Sequence, residues 1–210
     1  MNVIWTIREL CSGENGLENL FDGDRSYEKL LELSDDKQKA ILFAALLYGN
    51  VRGTLIALIH DAYNRASYEK KIKDELIADG MSEDEAKHAL DIFYEAFGFP
   101  GYRRSDPARV STLVSDDGKF RTEYRGEIRD GKEHGVGERN CYYNGRWCSS
   151  DEAVWSDGVI CGYDKAKEEE FGFIDKKEGF VAGDCMIGKI RVTPSDSEAF
   201  DDIGKTLDIQ

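Results

Sequence analysis

From Lys119 to Arg129 the chain reads KFRTEYRGEIR, and its side chains alternate without interruption. Phe120, Thr122, Tyr124, Gly126 and Ile128 share one parity; Arg121, Glu123, Arg125, Glu127 and Arg129 share the other. A helix, with its 3.6-residue repeat, scatters such a pattern around its axis, whereas a strand sorts it onto two faces. The stretch therefore predicts a half-solvated strand, apolar or small on one side and charged on the other. Asp130-Gly131 follows at once, a pair suited to the two positive φ angles of a type I′ turn, so the strand should open a hairpin.

The same features recur 27 residues later. Gly118 meets Gly145, Phe120 meets Trp147, Ile128 meets Trp155, Asp130-Gly131 meets Asp157-Gly158, and Gly135 meets Gly162. A third, looser copy is expected at EGFVAG, where Gly179 and Gly183 repeat the glycine spacing after a further 21 residues. A repeat of this length built on hairpins predicts an array in which each unit buries its face on the next. The glycines serve positive φ in turns and close approach of neighbouring backbones.

The stretch YRGEIRDGKEHGVGE, Tyr124 to Glu138, resembles the MORN repeat, whose units read roughly Y-x-G-x-W-x-x-G-x-x-x-G-x-G. Tyr124, Gly126, Glu127, Gly131, Lys132, His134, Gly135 and Gly137 occupy matching positions; Ile128 stands at the usual aromatic position, which Trp155 supplies in the second copy. That copy departs elsewhere, with Asp151 and Ala153 in place of Tyr and Gly. The resemblance covers roughly Gly118–Gly183 and implies stacked antiparallel hairpins forming a short, twisted ribbon with an exposed groove. It also implies a structural role for His134.

Before Gly98 the period is helical. Ser34 is expected to cap a helix through Tyr48, with Gly49 beyond its end; a second helix should span Val51–Tyr63, and a third should run from Ser67 to Gly80. Ser82 and Glu85 form the reciprocal pair of a capping box, opening a helix that stops at Gly98. GENGLENLFDGD reads as a loop. The fold class expected is α+β: an all-α helical bundle over residues 1–100, a linker over 101–117, a hairpin ribbon over 118–194, and an acidic tail over 195–210. The tail either frays or forms a short closing helix over the last hairpin, and the sequence leaves both open.

Charge narrows the partners. With 28 basic and 42 acidic residues the formal charge is −14, so nucleic acid and anionic membranes are repelled on average. The one basic run, Lys70–Lys73, is flanked by Glu69, Asp74 and Glu75 and reads as a solvated helix face. Five cysteines without C-x-x-C spacing and without a leading secretory segment fit a reducing cytoplasm.

No calcium loop, phosphate loop or zinc signature is present, so no cofactor or metal is expected, and His60 and His88 lack a second ligand at metal spacing. A thiolate pair of Cys141 with His134 is the one nucleophilic arrangement worth weighing, and packing roles outweigh it. The best-motivated surface is aromatic: Phe120, Tyr124, Tyr142, Tyr143, Trp147 and Trp155, types that recur at binding hot spots. The expectation is a non-enzymatic scaffold that binds a protein partner through this groove, with open ribbon edges suited to a homodimer. Peripheral lipid binding and a hydrolase site between the two halves are the alternatives.

Overall fold

The structure, a computed structural model, describes residues 2–11, 16–61, 64–102, 109–170, 173–182, 185–193 and 205–208. Among them seven helices precede eight strands: α1 (Val3–Leu10), α2 (Gly16–Phe21), α3 (Gly23–Leu33), α4 (Lys37–Ala45), α5 (Gly49–His60), α6 (Arg65–Ala78) and α7 (Glu83–Ala96), then β1 (Val110–Asp116), β2 (Phe120–Arg129), β3 (Lys132–Tyr143), β4 (Arg146–Ser156), β5 (Val159–Glu170), β6 (Phe173–Ala182), β7 (Cys185–Thr193) and β8 (Lys205–Asp208). The strands form one antiparallel sheet in sequential order. The fold is thus α+β.

The local signals that worked are the ones whose partners lie close in sequence. Ser82 caps α7 through its hydroxyl, which accepts from the Glu85 amide at 3.3 Å, while the Glu85 carboxylate accepts from the Ser82 amide at 2.9 Å. Asp130-Gly131, Asn144-Gly145 and Asp157-Gly158 each carry two positive φ angles, the turn geometry that matches the twist of the flanking strands. The lysines of the basic run pair with carboxylates four residues away, Lys70 with Asp74 and Lys73 with Glu69.

Several expectations are corrected. Ser34 ends α3; Asp36 caps α4 instead, its carboxylate accepting from the Lys39 amide at 3.0 Å, a bond that also lowers the Asp36 pKa. GENGLENLFDGD, expected as a loop, contributes α2 and the start of α3. Val110–Asp116, in the expected linker, is β1. Gly179 lies within β6 opposite Asp164 and not at a turn, so the third hairpin follows the strand spacing and not the 21-residue glycine spacing; Gly183 lies outside the described residues. The tail contributes a strand, β8, paired with β7, rather than a closing helix; residues 194–204, which precede it, lie outside the described residues.

The helices pack on one face of the sheet. Phe97 and Phe99, at the end of α7 and just beyond it, meet Phe180 of β6 and Tyr163 of β5 with ring centroids 5.4 and 5.2 Å apart for Phe97–Phe180 and Phe99–Tyr163. Burying each of these rings contributes about 1.5–3 kcal/mol. The backbones approach closely here: the Tyr163 amide donates to the Phe97 carbonyl at 2.8 Å, and a Cβ on Gly162 would stand 2.4 Å from that oxygen. The helix contacts fall on the Asp-Gly turn half of the sheet, at residues such as Glu127, His134, Val154, Cys161 and Phe180. Farther out, where Phe120, Tyr143, Phe173 and Ile174 lie exposed, the sheet projects beyond the helical layer. No single helix among the described residues is long and apolar enough to cross a membrane.

Candidate functional site

Register places seven residues in one row across the sheet face that the helices leave open. Leu113 pairs with Tyr124, Tyr124 with Arg139, Arg139 with Asp151, Asp151 with Ala166, Ala166 with Lys177, and Lys177 with Val192. Cross-strand partners share a face, so these side chains project together. Arg139 lies over the Trp155 ring, 4.3 Å from its centroid, and donates to Asp151 at 3.1 Å. Tyr124 meets Trp155 edge to face at 5.6 Å. Leu113 of β1 and Ile160 of β5 both pack on this cluster, which requires the sheet to curl.

Curling explains the glycines of β2 and β3. Gly126 and Gly137 are opposite one another, and the Tyr124 ring lies across them; its hydroxyl is 3.0 Å from the His134 carbonyl and 3.1 Å from the Glu127 carbonyl. Burial and the nearby Glu127 carboxylate raise the Tyr124 pKa, so the hydroxyl stays protonated and donates. A pocket of about 500 Å³ opens beside this cluster, over β4 to β7. Its charged lining includes Arg139, Asp151, Glu168 and Lys177, and its apolar lining Ile160, Val181, Met186 and Ile190; Asp164 and Ala166, both buried, line it too. Lys177 pairs with Glu168.

The six aromatic residues expected to line one groove do not do so. Tyr124 and Trp155 are buried, 1% and 0% exposed, and act as core side chains. Phe120 and Tyr143 are exposed, pair across β2 and β3 with centroids 4.8 Å apart, and lie on the open face. Tyr142 and Trp147 are on the opposite face, where the Tyr142 hydroxyl meets Glu123 at 3.4 Å and the Trp147 indole donates to Asn140 at 3.3 Å. The twofold alternation of a strand, with an irregularity between Cys141 and Tyr142 in the β3–β4 pairing, separates them.

Glu127 was expected on a solvated face and is instead buried at the seam with the helices. Arg8 of α1 is 3.9 Å from it, and donates through Nε to the Ala96 carbonyl at 2.9 Å and through a terminal nitrogen to the Glu95 carbonyl at 3.0 Å. One guanidinium thus satisfies the last carbonyls of α7 and ties α1 to β2. Burial lowers the Arg8 pKa, opposed by Cys161, Glu127 and other neighbours. His134, also fully buried, stacks on Trp5 with centroids 4.3 Å apart and accepts from the Asp157 amide through Nδ1 at 3.5 Å. Burial, reinforced by Arg129, brings its pKa down to about 4. Cys141 lies seven residues farther along β3, about 23 Å away by strand rise, so the thiol–imidazole pair does not form. Cys161 is buried, which pushes its thiol up to about 12, and burial also raises Cys11. Among the described residues, no group of three or more His, Cys, Asp or Glu side chains is arranged to hold a metal ion.

Comparison of the chain with protein-family models, with curated proteins and with solved structures finds no match.

Proposed function

We propose that this chain is a non-enzymatic interaction protein whose hairpin array, of the MORN-like kind, binds another protein on its open face. The carrying observation is the exposed Phe120–Tyr143 pair on a sheet face that no described helix covers and that also carries a pocket, whose lining residue Arg139 lies four residues along β3 from Tyr143. Large, stiff, exposed rings give contact area at small entropic cost. The repeat is supported by β2, β4 and β6, which start at Phe120, Arg146 and Phe173, and by matching turn angles at Asp130-Gly131 and Asp157-Gly158.

The pocket's carboxylates are the feature that would favour a hydrolase. Asp151 and Glu168, however, each pair with a cation on the same surface, an arrangement suited to recognition more than to proton transfer.

Capture of a partner by the immobilised chain tests the reading. Phe120→Ser/Tyr143→Ser should lose the partner, and Ile41→Ser, exposed on α4 and away from the sheet's open face, should keep it. Equal capture by all three proteins would remove this face from consideration.

A further inference from the structure

We propose that the pocket on the open face receives a basic side chain, lysine or arginine, flanked by an apolar residue of a partner polypeptide. The inference rests on the protein-binding reading above and specifies what that partner presents.

Ala166 marks the position. It is buried, and its short side chain leaves a hollow in the row between Asp151 and Lys177. Along β5, Asp164 and Glu168 are its neighbours two residues away on the same face, about 7 Å distant; Asp151 and Lys177 are its neighbours on the adjacent strands, about 5 Å distant. Three of the four positions around the hollow are therefore carboxylates. Lys177 leans to Glu168, and Arg139 is occupied by Asp151 and the Trp155 ring. Among the described lining residues, acidic groups outnumber basic ones by three to two.

The rest of the lining fixes the neighbouring residue of the guest. Met186 and Ile190, from β7, form an apolar wall next to the acidic hollow, and a methionine adapts to varied shapes. A long basic side chain lays its methylenes on such a wall and its charge among carboxylates. At about 500 Å³ the pocket lies within the roughly 300–1,000 Å³ of pockets that enclose ligands. Arg139 lies four residues from Tyr143 on β3, about 13 Å, so one extended segment reaches from the exposed rings to the hollow. The net charge of −14 draws a basic segment in and repels an acidic one.

The test is titration of the chain with capped, fluorescent peptides in which a central lysine, norleucine or glutamate lies between leucines. The lysine peptide should bind about tenfold tighter than the norleucine peptide, as expected for a charge-assisted contact, and the glutamate peptide weakest. Ala166→Leu should fill the hollow and abolish the preference. Glu168→Gln, at an exposed position, should reduce it several-fold by freeing Lys177 to repel the guest, and decides the matter if Ala166→Leu fails to fold. Equal affinity for the lysine and norleucine peptides, no binding of the lysine peptide, or an undiminished preference in the folded variants would overturn the proposal. If partner capture still depends on Phe120 and Tyr143 in that event, the interaction reading stands without the pocket; if that dependence is absent too, both fall.

Discussion

A Cβ placed on Gly137 would stand 2.2 Å from the Tyr124 hydroxyl oxygen. The ring above it is buried and its hydroxyl is held by two carbonyls, so it has no room to give way. Gly137→Ala should cost about 3 kcal/mol through overpacking. Tyr124→Phe keeps the ring but strands the Glu127 and His134 carbonyls, at a cost of about 1–3 kcal/mol. Urea denaturation of both variants checks the order; a neutral Gly137→Ala would mean that the ring does not lie there.

Arg8 and Glu127 should behave as a coupled pair. Arg8→Met takes the guanidinium away from the buried Glu127 carboxylate and from the Glu95 and Ala96 carbonyls, costing about 3–5 kcal/mol. Glu127→Gln in the same background should recover part of that loss, because the buried charge is gone. A double-mutant cycle on unfolding free energy reads the coupling, and additive effects would contradict the buried contact.

Acid should weaken the fold through His134. Burial lowers its pKa from an ordinary 6.5 to about 4, with Arg129, Arg8 and Arg109 also opposing protonation and Asp157 favouring it. Above pH 6.5 both folded and unfolded states hold the ring neutral, and stability is unaffected. As pH falls from 6.5 towards 4 the unfolded state binds the proton first, so stability drops by up to about 3 kcal/mol, and below pH 4 this loss levels off. His134→Phe, which retains a ring against Trp5, should flatten the stability profile across that window.

The aromatic residues should divide by position. Trp155→Ala removes a fully buried indole and should cost about 3–5 kcal/mol. Phe120→Ser and Tyr143→Ser, at exposed positions, should each change stability by under about 1 kcal/mol. Thermal melts of the three variants decide between core and surface roles.

Sequence made legible the elements whose causes are local. The Ser82–Glu85 box and the Asp-Gly turns depend on residues a few positions apart, and both were readable. α1 has a local signal too, the Asn2 side chain that accepts from the Ile4 amide at 2.9 Å, but its place is set from outside, by packing on α3 and α7. Glu127 looked solvated because its partner, Arg8, belongs to a helix at the other end of the chain. The row from Leu113 to Val192 depends on pairing across seven strands, including irregularities in four of the pairings, and no spacing in the sequence reveals it. Alternation correctly assigned Phe120 and Tyr124 to one face, but not that the sheet would curl and bury only the second.

Because the helices cover only the half of the sheet near its Asp-Gly turns, protection is graded along each strand. Amides around Val154 and Cys161 lie under the helical layer and should exchange with deuterium only when the whole chain opens, while those around Arg121 and Trp147 should exchange through smaller fluctuations. A guest seated on the projecting half would suppress those fluctuations, so occupancy of the face would register as slowed exchange at strand ends distant from the helical core.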